Sequence, residues 1–180
     1  MKKFILLFLA TVCVSFTTYA QSNCLTFLGI PIDGTKAEMI SKLEAKGYEY
    51  NSYADCLVGE FNGKDAIIYV NTIHNKVWRI IVVDKTYINE TDIKIRFNTL
   101  FEQFSNNSKY VRLDGNRLTE KDNISYEMML NNKRYDAYFI PVDTSINGLV
   151  WYTIRMVSVT QYQIGILYEN LNNAADGSEL

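Results

Sequence analysis

The chain has 180 residues, with 18 Lys+Arg against 20 Asp+Glu, one His, 48% hydrophobic residues, nine Gly and two Pro. A length of this order suits one domain, and the composition excludes a disordered or fibrous chain. Setting aside the first twenty residues removes two lysines and leaves 16 basic and 20 acidic groups, a net charge near −4 that disfavours nucleic-acid binding through phosphates.

Those twenty residues read as an export signal: Lys2-Lys3, an apolar run from Phe4 to Phe16, then Thr18-Tyr19-Ala20 before Gln21. The run is shorter than the roughly 20 residues a bilayer requires, and no later segment approaches that length. The chain from Gln21 onward is therefore expected to be periplasmic or extracellular, with no integral membrane segment. Val12 before Cys13, and Gln-Ser-Asn before Cys24, do not suit lipid attachment. Cys24 and Cys56 remain after cleavage. A bridge between them would close a loop of about 33 residues and add roughly 3–4 kcal/mol in the chain-entropy account; two buried thiols are the alternative.

Phe27 to Thr35 ends in turn chemistry, and Thr35-x-x-Glu38 is a capping box. Met39, Ile40 and Leu43 share a helical face and Gly47 suits a left-handed stop, which predicts a helix over about 35–46. Strands are predicted near 48–53, 56–61, 64–71 and 76–84, with Asn62-Gly63 and His74-Asn75 as hairpin turns. Ile93, Phe97, Leu100, Phe101 and Phe104 then predict a helix over about 90–105. Further strands are expected near 110–113, 124–130, 133–140 and 149–159, with a turn at Asn131-Asn132. Ile164, Leu167, Tyr168 and Leu171 suggest a last helix over 162–172, weakened by Gly165, before a frayed tail.

The two halves resemble each other, with pseudo-repeats over about 27–84 and 86–160 and a C-terminal segment 161–180. Phe61-Asn-Gly-Lys64 matches Leu130-Asn-Asn-Lys133, which aligns Tyr69 with Tyr138, and Asn75-Lys-Val-Trp78 matches Gly148-Leu-Val-Trp151. Strand alternation would place Val77, Ile81 and Val83 with Ala66, Ile68 and Val70 under the helices, together with Val150, Ile154, Met156, Tyr135, Ala137 and Phe139. The other side would collect Asp65, Tyr69, Trp78, Arg134, Asp136, Tyr138, Trp151, Thr153 and Arg155. Mixed aromatic and cationic surfaces suit partner binding; the alternative is that the C-terminal segment covers these residues as core.

The expected class is α+β: two tandem units, each a helix and a four-stranded antiparallel sheet, with the helices on one face. This arrangement resembles the β-lactamase-inhibitor-protein-like fold over roughly residues 27–160, in topology only; the resemblance implies a concave sheet facing a protein partner. The export signal and Gly-Ile-Pro-Ile-Asp-Gly-Thr also resemble small exported proteins of uncharacterised families from Gram-negative anaerobes, which implies an envelope location and no activity.

Chemistry has little support in the residues. His74, the single histidine, falls at a turn, so zinc sites and Ser-His-Asp or Cys-His nucleophiles cannot be assembled readily. Glu60, Asp65, Asp84, Glu127 and Asp136 could in principle pair for glycoside hydrolysis, but nothing sets them apart. Asp114-Gly-Asn116 with Glu120 and Asp122 lacks the full calcium-loop spacing, and no nucleotide-binding Gly pattern occurs, so no metal or cofactor is expected. Three Asn-x-Ser/Thr triplets, at Asn89, Asn106 and Asn123, read as chance matches in a bacterial-looking chain. The expectation is a non-enzymatic protein-binding chain with Tyr69, Trp78, Tyr138, Trp151 and Arg155 at the interface. Aromatics would anchor and Arg155 would orient; a glycan ligand is the second reading and a carboxylate hydrolase the third.

Overall fold

A computed structural model describes residues 23–174. The segment read as an export signal and residues 175–180 lie outside the described residues. The described chain is α+β, with three helices, a two-stranded sheet and an eight-stranded antiparallel sheet. In chain order the elements are β1 (Thr26–Phe27), β2 (Ile30–Pro31), α1 (Lys36–Glu44), β3 (Glu49–Asn51), β4 (Cys56–Phe61), β5 (Lys64–Ile73) and β6 (Lys76–Asp84). They continue with α2 (Glu90–Ser105), β7 (Tyr110–Asp114), α3 (Ile124–Leu130), β8 (Asp136–Pro141), β9 (Gly148–Ser158) and β10 (Gln161–Asn170). The large sheet runs β3-β4-β5-β6-β10-β9-β8-β7. The strands of each half thus lie together, and the halves meet at the β6–β10 ladder from Val83↔Gly165 to Arg79↔Glu169.

Local chemistry accounts for the two main helices. Thr35 and Glu38 form the reciprocal capping box that starts α1. Asn89 caps α2 by accepting from the Asp92 backbone N–H. Ile93, Phe97, Leu100, Phe101 and Phe104 of α2 turn onto the sheet and join one core with Met39 and Leu43 of α1. Fully burying each such side chain contributes about 1.5–3 kcal/mol. Asn62-Gly63 and His74-Asn75 all have positive φ, as tight hairpin turns with the twist of their strands require.

Two segments differ from the sequence reading. Residues 124–130 form α3, not a strand: Asn123 accepts from the Tyr126 N–H, and the Glu90 carboxylate accepts from the Ile124 and Ser125 N–H groups at the helix start. Residues 161–170 form the central strand β10, not a helix. Tyr162, Ile164, Ile166 and Tyr168 face the helices while Gln163, Leu167 and Glu169 are buried on the other side, so the run is buried on both faces.

These corrections shift the correspondence between halves. Sheet order sets β9 opposite β5 and β8 opposite β4 about the β6–β10 seam, so Trp78 on β6 and Trp151 on β9 do not occupy matching strands, nor do Tyr69 on β5 and Tyr138 on β8. The face assignment also changes on β6. A register shift between Asn71 and Thr72 inserts one residue, placing Arg79 opposite Asn71 and Val77 opposite Thr72. Val77 therefore turns into the core, whereas Ile81 and Val83 stand opposite Tyr69 and Ile67 on the open face.

Cys24 and Cys56 are both buried and are not bonded to each other. Cys24 lies beside Pro141, Val142 and Ile146 at the end of β8, and Cys56 opens β4, with four strands of the sheet between β4 and β8. A disulfide needs Cα atoms within about 7 Å.

Candidate functional site

The helices α1 and α2 pack on one face of the large sheet, in one core with Ile68, Val82, Val150 and Ile166, and a trough lined by Tyr69, Ile81, Trp151, Arg155 and Leu167 opens on the other. The C-terminal segment, which could have covered it, is instead strand β10 within the sheet. Tyr69, Trp78, Tyr138, Trp151 and Arg155 all belong to this open side: Tyr69 and Arg155 are exposed, and Trp78, Tyr138 and Trp151 are half-buried. Trp78 reaches it through the irregularity on β6, where the Arg79 guanidinium lies 3.8 Å from the Trp78 ring centroid.

One connected set of contacts crosses four strands. Arg79 Nη2 lies 2.8 Å from Glu169 Oε1, and the same oxygen accepts from Trp151 Nε1 at 2.9 Å. The Trp151 ring stacks on Tyr138 with centroids 5.6 Å apart. Tyr138 donates its hydroxyl to Asp136 Oδ2 at 3.0 Å, and Arg134 Nε reaches the same oxygen at 3.1 Å. Burial first, then the Asp136 charge and hydrogen bond, push the Tyr138 phenol above its ordinary value, so it remains a donor at neutral pH. Glu169 is buried near the end of β10, and a buried carboxylate requires pairing, as here with Arg79 and the indole N–H.

Beside this network lies a trough of about 530 Å³ bordered by Tyr69, Ile81, Trp151, Arg134, Arg155 and Leu167. Gly165 forms part of its floor; a Cβ there would meet Arg155 Cδ at 3.3 Å, so the glycine leaves room for the arginine stem. Its charged lining is two arginines with no acid. Arg79 Nε and Asp136 Oδ1 are buried without a hydrogen-bond partner in the described chain. Such buried atoms cost about 1–3 kcal/mol each. Sequence alternation found the aromatics here but missed Arg79, Ile81, Leu167 and Glu169, because neither the bulge nor the central strand was apparent.

The other predicted groups are scattered. His74 is exposed in its turn. Asp65 does not join the open-face cluster; it lines a cavity of about 390 Å³ at the sheet end with Asp84 and Asp92. Asp84 is engaged there by Arg96, through Nε to Oδ2 at 2.9 Å and Nη2 to Oδ1 at 3.1 Å. Glu60 is exposed, and Glu127 accepts from Asn131 on α3. Asp122 accepts from the Thr119 N–H and hydroxyl, which closes a polar turn. Among the described residues no group of three or more His, Cys, Asp or Glu is placed to hold a metal ion, and no helix is long and apolar enough to cross a membrane.

No family model matches this chain, and no curated protein or solved structure matches it either.

Proposed function

We propose that the protein is an exported, non-enzymatic binding protein that recognises a protein partner in the cell envelope, in the manner of an inhibitor or immunity protein, through the open face of its sheet. The observation that carries this reading is the connected set of contacts from Trp78 to Arg134, beside a trough lined by Tyr69, Trp151, Arg134 and Arg155 on the face away from the helices. Half-exposed Trp and Tyr with Arg supply the anchor chemistry typical of protein interfaces. The likeness in topology to the β-lactamase-inhibitor-protein-like fold adds to the same reading, since there too the sheet faces the partner. A glycan ligand would use the same stacking surfaces but would not depend on an intact partner protein.

The test is capture from envelope extract by the chain from Gln21 onward, beside a folded Trp78→Ala/Trp151→Ala double variant and with a protease-treated extract as control. Capture of a protein by the wild type alone, abolished by protease, is the expected result. Equal capture by the double variant contradicts this face as the interface, and protease-resistant binding transfers the face to a glycan.

A further inference from the structure

On the opposite side of the sheet, under the helices, a cavity of about 310 Å³ opens where the β1–β2 turn, the β4–β5 turn and the C-terminal half of α2 converge. Its volume lies at the lower end of the range of about 300–1,000 Å³ in which small ligands are held. Phe27, Phe61 and Phe104 give it flat apolar walls. Phe27 and Phe61 sit with ring centroids 5.4 Å apart, and Phe27 and Tyr168 5.1 Å apart, so the walls are braced by one another. The rim is held by the Asn62 amide, which donates to Gln103 Oε1 at 2.7 Å and ties the β4–β5 turn to α2.

Three polar groups of this cavity are not used by the fold. Tyr168 is 8% exposed and lines the cavity, yet its hydroxyl has no hydrogen-bond partner among the described residues. The Tyr110 hydroxyl, on the same cavity, is equally unpartnered. Burial pushes both phenols above their ordinary values, with the neighbouring Tyr110 adding to the effect on Tyr168, so each is a protonated donor at neutral pH. The third group is Lys109, the single charged side chain on the cavity wall, in a chain whose overall charge is negative.

We propose that this cavity binds a small carboxylic acid with a flat or short apolar body. The body would lie against the phenylalanine walls, the carboxylate would accept from the Tyr168 and Tyr110 hydroxyls, and the Lys109 ammonium would supply the counter-charge. Two neutral donors and a cation, with no acid on the cavity wall, favour an anion over a neutral or cationic ligand. The site lies on the helix side of the sheet and is independent of the open-face reading.

The test is calorimetric titration of the folded protein with phenylacetate and hexanoate, with phenylacetamide as the neutral counterpart, repeated on Tyr168→Phe and Lys109→Gln. The expected result is saturable binding of at least one acid, at least about tenfold tighter than the amide and weakened about tenfold by each variant. Should Tyr168→Phe fail to fold, the exposed Lys109→Gln decides alone. Absence of binding at millimolar ligand, equal binding of the amide, or binding unchanged in Lys109→Gln overturns the proposal.

Discussion

Arg96 and Asp84 form a forked ion pair beneath α2, each less than 10% exposed, and Gln163 further holds the Asp84 backbone carbonyl. Truncating one member leaves the other charge buried and alone, so Arg96→Met should lower the unfolding free energy by about 3–5 kcal/mol in chemical denaturation. Asp84→Leu combined with Arg96→Met should recover most of that loss, because a buried pair can be replaced by apolar side chains at little net cost. Glu90 offers a pH-dependent counterpart. Burial raises its pKa, but hydrogen bonds from the Ser125 hydroxyl and the Ile124 and Ser125 N–H groups, with the Lys94 charge, outweigh that and hold it below its ordinary value of 4.5. A carboxylate with a depressed folded pKa contributes stability above its unfolded pKa and loses it as pH falls through the folded value. Asp33 shifts the same way, led by the hydrogen bond from Asn173. Stability measured against pH should therefore decline below about pH 4.5, and Glu90→Gln should flatten part of that decline.

At the level of elements, the sequence is clearest where one period dominates. α1 and α2 carry caps and a single apolar stripe, and each lies where spacing predicts, so Thr35→Ala should cost about 1 kcal/mol through loss of the α1 cap. β4, β5 and β6 are likewise legible from alternation and from turns that require positive φ. α3 was not legible, because Ile124, Tyr126 and Met128 alternate like a strand while the decisive partner, Glu90, is distant in sequence. β10 was hidden for the opposite reason: burial on both faces removes the alternation that marks a strand, leaving Ile164, Leu167, Tyr168 and Leu171 at helical spacing. The Gly115 loop is a further element-level test. Its φ is 102°, and a Cβ would approach the Ala137 Cα at 2.7 Å, so Gly115→Ala should shift the β7–β8 pairing and cost about 1–3 kcal/mol, read as a lower thermal midpoint.

For the whole molecule, β10 is the joint of the fold and carries part of the proposed binding face. It pairs with β6 and β9, completes the core through Ile164, Ile166 and Tyr168, and carries Gly165, Leu167 and Glu169 on the open face. Because residues 161–170 form this strand and not a helix, the C-terminal segment lies within the sheet and does not cover the aromatic face. The aromatic half of the candidate site was thus legible from strand alternation. Its floor and its Glu169 anchor required the sheet order, which no local pattern encodes. If this face, and not the helix side, meets the proposed partner, quantitative capture from envelope extract by two charge variants will separate the two surfaces. Arg155→Glu alters the open face, and Ile95→Glu alters the exposed side of α2, where Ile95 is 59% exposed. Capture reduced about tenfold by Arg155→Glu and unchanged by Ile95→Glu is the predicted result, in keeping with loss of an interface arginine. Capture lost with Ile95→Glu and retained with Arg155→Glu would contradict it.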